Sequence, residues 1–289
     1  LVKPIVLVVG LGEVGRSLFE LLRESERFEV YGWDIDEKKM QDVQQGNLPK
    51  KVDVLHICYL CRDQEEFVKT TVDYVKQFRP ELTIINSTVP PGTTEKVYTI
   101  SRGHMVHSPV RGMHKSRESM KRYLLFLTKY IGGVDEESVR LACKHFEDLG
   151  LKTKVLKSPV DTELAKLFET TYRAWMIACF QEMHRTSRHF GADFDDVVDL
   201  LEDDHRVRFD RPVMFPDVIG GHCLIQNTEL LLKSYDSKFL RLILESNEKR
   251  KEEIKDENVR MEVEKIRKRA EVLERLIGAY RYNLTRESE

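Results

Sequence analysis

The sequence has no long hydrophobic run and no excess of charge of one sign. No stretch reaches the roughly 18 consecutive apolar residues expected of a membrane-spanning helix. The 47 lysines and arginines are balanced by 49 aspartates and glutamates, which leaves a formal net charge of -2. Without a charge excess there is no overall attraction to nucleic acid or to an anionic membrane surface. We therefore expect a protein that binds neither and that acts on a small molecule.

Cysteine is also scarce, with five residues scattered over 289 positions and no secretory signal before them. An odd, scattered set is typical of reduced thiols, so we expect a cytoplasmic protein. Cys58 and Cys61 form a single CxxC pair. Because zinc sites of this kind need a second pair of ligands, no metal site is predicted.

Seven short apolar runs rich in Val and Ile alternate with segments of helical period. They occupy residues 4–10, 28–34, 52–58, 82–88, 103–108, 123–133 and 151–156. Apolar runs of this kind are typical of strands that are buried on both faces of a sheet. The pattern predicts an α/β fold, with a Rossmann domain built on a doubly wound parallel sheet over residues 1–157.

The pattern changes after Pro159. Helical periodicity continues for about thirty residues and stops at Gly191, a residue typical of the position after a helix C-terminus. A shorter helix is predicted over 193–202, followed by a polar loop that carries Arg206, Arg208 and Arg211. We expect residues 158–289 to form a second, all-α domain and the protein to be a homodimer formed through it.

The C-terminal part of the chain is rich in Glu, Lys and Arg but retains a periodic apolar pattern. Apolar residues recur at alternating steps of four and three: Val259, Val263, Ile266, Ala270, Leu273, Ile277, Tyr280 and Leu284. This is a heptad seam. It indicates either a helix that rests on its own domain or a helix that pairs with another subunit, and in both cases its role is architectural.

A dinucleotide-binding motif follows the first predicted strand. The GxGxxG stretch consists of Gly10, Leu11, Gly12, Glu13, Val14 and Gly15. Its first glycine permits a tight turn, its second lets a pyrophosphate approach the backbone, and its third lets a helix pack on the strand. The N-terminus of that helix offers N–H groups and a positive dipole end to the phosphates.

The second predicted strand ends in Asp34, which is followed by Ile35. A carboxylate at this position can accept hydrogen bonds from both ribose hydroxyls and would repel a 2′-phosphate. The sequence therefore favours NAD over NADP as the cofactor. The same carboxylate could hold another adenosine compound, such as S-adenosylmethionine, so a methyltransferase-like function stays open.

Four segments resemble the UDP-glucose/GDP-mannose dehydrogenase family and occur in the order found in that family. They are NSTVPPGTTEKV (86–97), HSPVRG (107–112), ELAKLFETTYRAWMIACFQEM (163–183) and GGHCL (220–224). In the family, the corresponding segments are Ser-Thr-Val-Pro-Pro-Gly-Thr-Thr, Ser-Pro-Glu-Arg, the helix with the catalytic lysine, and the loop with the nucleophilic cysteine. The resemblance covers roughly residues 4 to 235.

The resemblance implies an NAD-linked oxidation of an alcohol to an aldehyde. In the family, a cysteine traps the aldehyde as a thiohemiacetal, a second hydride transfer gives a thioester, and water hydrolyses it. Cys223 would be this nucleophile, Lys166 would stabilise the developing oxyanion, and Thr88 would lie beside cofactor and water. The residues alone leave two simpler interpretations open: Cys223 as a small buried residue in a turn, and Lys166 as a surface lysine with a buried stem.

The sequence departs from the family where thioester hydrolysis takes place. Thr170 replaces an asparagine one helical turn after the lysine, and Asn227 replaces an aspartate that assists the hydrolytic water. Val110 replaces the glutamate of the Ser-Pro-Glu segment, and His114 lies at or close to the position of a second glutamate. The carboxylates expected near the thiol are therefore missing.

Three residues near these segments are candidate substrate contacts besides Asn227. Arg111 and His114 belong to or follow the second segment, and His222 adjoins the thiol, whose pKa it could lower. His104, His107 and His114 lack the spacing of metal ligands, and we interpret them as the polar rim of the site.

The chain ends in the charged helix, whereas family members continue into a further domain that holds the nucleotide of a sugar nucleotide. We therefore consider three functions. The first is an NAD-dependent dehydrogenase of a smaller or different substrate, with Lys166 as acid or base and histidines in place of the carboxylates. The β-hydroxyacid dehydrogenases have a similar length and also use a lysine on a helix. The second is a non-redox enzyme that uses the adenosine pocket, and the third is a binding protein that senses the nucleotide.

Overall fold

The computed structural model describes residues 3–41, 43, 47–112, 117–220 and 222–286, without the side chains of 117–119, 222, 274 and 277–286. The chain divides into two units, Leu1–Phe168 and Glu169–Glu289. The first unit contains a seven-stranded sheet and the second is helical. The division falls within a long helix, whereas the sequence analysis places it earlier, at 157/158.

One sheet organises the first unit. Its strands are β1 (Ile5–Val9), β2 (Glu29–Trp33), β3 (Val54–Ile57), β4 (Leu82–Ile85), β5 (His104–His107), β6 (Lys129–Gly133) and β7 (Thr153–Val155). They are arranged in the order β2-β1-β3-β4-β5-β6-β7, and the pairs from β2 to β5 are parallel. The predicted α/β fold is confirmed, with one difference: β6 runs antiparallel to β5, and β7 is parallel to β6.

The continuous apolar run of β1 is explained by burial on both faces of the sheet. Val6 and Val8 pack into one apolar core together with Leu18 and Leu22 of the following helix. Leu7 and Val9 point to the opposite face and belong to a second core. Because side chains alternate between the faces of a strand, every position of such a central strand must be apolar.

Helices cover both faces of the sheet. Those of the first unit are α1 (Glu13–Glu24), α2 (Gln64–Phe78), α3 (Thr93–Ser101), α4 (Arg117–Phe126) and α5 (Glu136–Asp148), and a short 3₁₀ helix spans Glu37–Met40. Asp63 and Asp135 cap α2 and α5, because each accepts a hydrogen bond from a backbone N–H in the first turn.

The expectation of a strand over 123–133 is wrong for its first part. Residues up to Phe126 belong to α4, and β6 begins only at Lys129. Met120 and Leu124 are both buried, one helical turn apart on the face that packs on the core. A short apolar run is compatible with a buried helix as well as a strand, and its sequence alone did not separate the two.

The long helix predicted after Pro159 is confirmed as α6 (Pro159–His189). Gly191 follows it with a φ of +69°, a conformation that glycine adopts without strain. The remaining helices are α7 (Phe194–Arg208), α8 (His222–Ser234), α9 (Lys238–Glu253) and α10 (Glu257–Arg286). Among the described residues, no helix is long and apolar enough to cross a membrane.

Helix α7 is longer than the sequence analysis predicts. It begins after Asp193, whose carboxylate caps it, and continues past the expected end at 202 to Arg208. Arg206 and Arg208 therefore lie in a helix and not in a loop. Both form ion pairs with acidic neighbours on or just after α7.

The heptad seam of α10 packs within its own unit. Its described apolar positions are all buried: Val259, Val263, Ile266, Ala270 and Leu273. Arg269 of α10 also forms ion pairs with Asp195, Asp199 and Glu202 of α7. The interpretation of this seam as a contact with another subunit is therefore wrong for these positions, while the side chains of Ile277, Tyr280 and Leu284 lie outside the described residues.

Candidate active site

The three motif glycines form the turn between β1 and α1. Gly10 has a φ of +91°, and a Cβ atom there would lie 2.5 Å from the backbone nitrogen of Tyr59. A Cβ on Gly15 would lie 1.8 Å from the carbonyl oxygen of Gly10. No described atom lies within 4 Å of a Cβ built on Gly12. The turn is tight at both ends and open in the middle, where a phosphate group can reach the backbone.

The helix that begins at this turn presents its N-terminus to the same space. Gly12 is the N-cap of α1, and Glu13 and Val14 form its first turn. Leu11 is buried beneath the turn. A glycine N-cap leaves the helix without a side-chain cap and gives an anion access to the positive end of the helix dipole.

Asp34 is fixed beside the glycine turn, immediately after β2. It is buried, and its Oδ2 accepts a hydrogen bond of 2.7 Å from the backbone N–H of Leu11. Its Oδ1 accepts a second bond, of 2.9 Å, from the N–H of Asp36. The ammonium group of Lys39 lies 3.6 Å from Oδ2. The next side chain, Ile35, is 88% exposed.

Thr88 lies in the segment that follows β4 and is half-buried. The segment ends at Gly92, the N-cap of α3, which has a φ of +83°. There the buried carboxylate of Glu163, on α6, accepts hydrogen bonds from the backbone N–H groups of Gly92 and Thr94, at 2.6 and 2.9 Å. The Thr94 hydroxyl donates a third, of 2.7 Å. Glu163 was not among the site residues predicted from the sequence.

His107 is buried completely and does not form a polar rim as the sequence analysis expected. One ring nitrogen lies 2.8 Å from the hydroxyl of Thr162, and the other lies 3.1 Å from the carbonyl oxygen of Ser87. Burial lowers the pKa of His107 to about 3. This histidine is therefore neutral and held in place, and it is a poor substitute for a catalytic carboxylate.

Lys166 lies on α6, half-buried, in the vicinity of His107 and Lys129. Lys129 is buried at the start of β6, and its ammonium group donates to the carbonyl oxygens of Ser108 and Pro109 at 2.9 and 3.2 Å. The pKa of Lys129 is lowered to about 7, chiefly by burial and to a smaller extent by the charges of Arg111 and Lys166. Three basic side chains of the first unit, those of Arg111, Lys129 and Lys166, thus lie near one another. A lysine inside an apolar run was the only sequence signal for Lys129.

A buried hydrogen-bond network in the first unit joins His56 to Asn86 and His145. His56, in the middle of β3, lies 2.8 Å from Oδ1 of Asn86 and 2.9 Å from Nε2 of His145. The amide of Asn86 donates to the carbonyl oxygen of Ser108, so its Oδ1 must accept from His56. Burial lowers the pKa of His56 to about 4. This network was also missed, because its members are far apart in the sequence.

The segment after β5 contains no carboxylate at the position of the family glutamate. Val110 is buried in the apolar core there. The guanidinium of Arg111 donates to the carbonyl oxygen of Thr128 and lies over the ring of Tyr130. His114 lies outside the described residues.

In the second unit, Cys223 lies in the first turn of α8 and is half-exposed. Cys223 is therefore helical and half-exposed, and not a small buried residue in a turn between elements. Gly221 and the side chain of His222 lie outside the described residues. Asn227 follows one helical turn later on α8, and its amide donates a 3.1 Å hydrogen bond to the hydroxyl of Thr170. Two of the four positions at which the sequence departs from the family pattern are thus in direct contact.

The CxxC pair is inert in this structure. Cys61 is buried, and burial raises the pKa of the Cys58 thiol to about 12. The Cβ of Cys58 packs below Gly15, so this residue supports the glycine turn.

Comparisons with known proteins agree with the resemblance seen in the sequence. A family model described as "UDP-glucose/GDP-mannose dehydrogenase family, central domain" matches residues 160–249. A UDP-N-acetyl-D-mannosamine dehydrogenase of Methanocaldococcus jannaschii is 27% identical over 84% of this chain and 65% of that protein. The chain therefore spans less than two thirds of the length of this curated relative.

Solved structures show the same fold. A UDP-D-ManNAc dehydrogenase from Pyrococcus horikoshii superposes with a TM-score of 0.70 at 23% identity, over 84% of this chain and 68% of that one. A 3-hydroxyisobutyrate dehydrogenase from Mycobacterium tuberculosis, with L-serine, superposes with a TM-score of 0.65 at 16% identity. The latter match covers 88% of this chain and 94% of the other.

Proposed function

We propose that this chain, which is related to the UDP-glucose/GDP-mannose dehydrogenase family, is an NAD-dependent oxidoreductase that oxidises an alcohol. The observation that carries the proposal is the glycine turn, open over Gly12 and bordered by the fixed carboxylate of Asp34. Its substrate is a sugar nucleotide or a smaller hydroxy compound. The curated relatives are named as dehydrogenases, which supports the same class of reaction.

NAD is the cofactor that the turn fits best. The pyrophosphate would lie over Gly12 at the N-terminus of α1, and the ribose hydroxyls would donate to Asp34. We assign the exposed side chain of Ile35 to one face of the adenine ring. A 2′-phosphate would meet the Asp34 carboxylate, although the nearby Lys39 ammonium would offset part of that repulsion.

The oxidation transfers a hydride from the alcohol carbon to NAD, and the hydroxyl proton goes to a base. The products are a carbonyl compound and NADH. We assign the base or oxyanion-stabilising role to Lys166, by its match to the lysine of the family helix. Thr88 is assigned a place beside the cofactor on the same grounds, and Arg111, His114 and His222 are assigned to the substrate.

We propose that the reaction stops after this first, two-electron step. Hydrolysis of a thioester needs a base that activates water, and the family aspartate and asparagine are replaced here by Asn227 and Thr170. An amide and a hydroxyl that bond to each other have no group that accepts a proton from water near neutral pH. Cys223 then serves to contact the substrate and does not form a hydrolysed thioester.

NADH formation tests the reaction directly. The purified protein is incubated with NAD and a panel of alcohols, 3-hydroxy acids and sugar nucleotides, and NADH absorbance is followed. We expect one substrate class to give one NADH per molecule oxidised. Two NADH per molecule would contradict the two-electron step, and no NADH with any compound would favour a transferase or a nucleotide sensor.

We also propose that the protein is a homodimer, formed through an aromatic face of α6 and α9 in the second unit. Tyr172 and Phe239 are 63% and 61% exposed, and the ring centroids of Trp175 and Phe239 lie 4.4 Å apart with the rings tilted by 34°. Leu242 extends this face. Apolar side chains that cluster on a surface are typical of an interface between subunits.

Light scattering tests the dimer. The variant Tyr172→Asp should elute as a monomer while the wild-type protein elutes as a dimer. The control is Leu200→Asp on α7, whose side chain is 70% exposed away from this cluster. A wild-type monomer, or a dimer that persists in Tyr172→Asp, would contradict this interface. All five cysteines are free, in keeping with the cytoplasmic location that we propose.

A further inference from the structure

Glu163 is a buried carboxylate whose hydrogen-bond partners all belong to another segment. Its side chain is completely inaccessible to solvent. One oxygen accepts from the N–H of Gly92, and the other accepts from the N–H and the hydroxyl of Thr94. An acidic side chain is rarely buried so fully unless hydrogen bonds or an opposite charge compensate for the loss of its hydration.

The two segments that Glu163 joins each carry a proposed site residue. Gly92 ends the segment that contains Thr88, and Thr94 lies in the first turn of α3. Lys166 follows Glu163 on α6 after three residues, which is less than one helical turn. The carboxylate thus ties the segment of Thr88 to the turn of α6 that carries Lys166, within the first unit.

A second link in the same turn of α6 prevents this part of the helix from rotating. Thr162 bonds to His107 at the end of β5, and His107 bonds to the carbonyl oxygen of Ser87, next to Thr88. Two neighbouring residues of one helix are therefore attached to the start of α3 and to the end of β5. Displacing Lys166 along or around α6 would require breaking both attachments.

We propose that Glu163 is a positioning residue, which holds the Thr88 segment and the Lys166 turn of α6 at a fixed separation. This inference rests on the proposed function, because it assigns Glu163 to the site of that reaction. Glu163 does not touch the reacting atoms. It acts through the backbone of Gly92 and Thr94.

The link depends on an ionised carboxylate. A protonated acid would present an O–H to the N–H groups and lose acceptor capacity. The pKa of Glu163 is raised to about 7, because the effect of burial, reinforced by the nearby charge of Glu95, exceeds the lowering effect of the hydrogen bonds from Thr94 and Gly92. Its charged neighbours along α6 are Asp161 and Lys166. The link should therefore weaken as the pH falls below about 7.

The variant Glu163→Gln tests the role, because it keeps the size of the side chain and removes one acceptor and the charge. We expect kcat to fall about 10- to 100-fold at alkaline pH, with the KM for NAD changed less than about threefold. At a pH well below 7 the two proteins should approach the same kcat, because wild-type Glu163 is then protonated. A purely structural role would not produce this convergence. The control is Glu95→Gln, an exposed carboxylate in the first turn of α3.

Hydrogen exchange measured by mass spectrometry separates this inference from the proposed function. In Glu163→Gln at alkaline pH, amides of residues 88–97 should exchange about tenfold faster than in wild type, and Glu95→Gln should not differ. Exchange needs no substrate, so it decides the link even if the wild-type protein oxidises nothing. Unchanged exchange would overturn the proposal, as would faster exchange with unchanged kcat in an active wild-type enzyme.

Discussion

The glycine turn of the first unit and the start of α8, which carries Cys223 in the second unit, differ in how closely they match the family pattern. The glycine turn has all three glycines, the helix N-terminus and the fixed carboxylate of Asp34. Around Cys223, by contrast, an amide and a hydroxyl replace the expected polar pair and bond to each other. Binding of a cofactor and hydrolysis of a covalent intermediate use separate groups. A chain can therefore match the family pattern in its cofactor-binding residues and depart from it in the residues that activate water.

The largest expected effect comes from the tight end of the glycine turn. Gly15→Ala should lower the free energy of unfolding by about 3 kcal/mol or more, because its Cβ would overlap the carbonyl oxygen of Gly10. Gly12→Ala, which meets no described atom, should change it by less than about 1 kcal/mol and still weaken NAD binding. Urea unfolding measures both. Equal destabilisation by the two variants would mean that Gly12 is not the open position.

The next largest effect concerns the buried hydrogen-bond network of His56, Asn86 and His145. Because the pKa of His56 is lowered from 6.5 to about 4, the unfolded state takes up a proton that the folded state does not as the pH falls through this window. The unfavourable protonation of His56 in the folded state should thus lower the free energy of unfolding by about 3 kcal/mol as the pH falls from 6.5 to 4. In His56→Phe the unfolding free energy should depend less on pH over this window. Parallel pH profiles for the two proteins would contradict the buried, neutral state.

A smaller effect tests the carboxylate beside the glycine turn. Asp34→Ala should weaken NAD binding about tenfold or more, because the ribose hydroxyls lose their acceptor and Leu11 loses its partner. Asp36→Ala removes an exposed carboxylate two residues away and should leave the affinity nearly unchanged. Calorimetric titration gives both dissociation constants. Equal affinity of Asp34→Ala and wild type would place the ribose elsewhere.

The smallest effect tests the hydrogen bond between Asn227 and Thr170 in the second unit. Asn227→Ala and Thr170→Val should each destabilise the protein by about 1 kcal/mol, and the double variant by less than the sum. A double-mutant cycle by urea unfolding measures this coupling. Additive effects would show that the two side chains do not interact in solution and would contradict the hydrogen bond between them.

The sequence predicted features that depend on neighbours close along the chain. The apolar strands and the GxGxxG turn are set by residues within a few positions of one another, and both were predicted. The last turn of α4 was not, because a short apolar run fits a buried helix as well as a strand. Nor were the Glu163 link and the His56 network, since their partners lie 71 and 89 residues away.

The burial of His107 shows the same limit. Its position in a family-like segment suggested a residue at the rim of the site, yet its partners on α6 and after β4 enclose it. Whether a histidine is a solvated acid or base or a neutral core group depends on burial, which local sequence does not reveal. The same holds for Lys129, whose carbonyl partners lie about twenty residues earlier.

The central claim is that the glycine turn and Asp34 bind NAD for hydride transfer. Calorimetric titration of the wild-type protein with NAD, NADP and S-adenosylmethionine tests it most directly. We predict that NAD binds most tightly and that Asp34→Ala weakens NAD selectively. Tighter binding of S-adenosylmethionine, or no binding of either dinucleotide, would contradict the account.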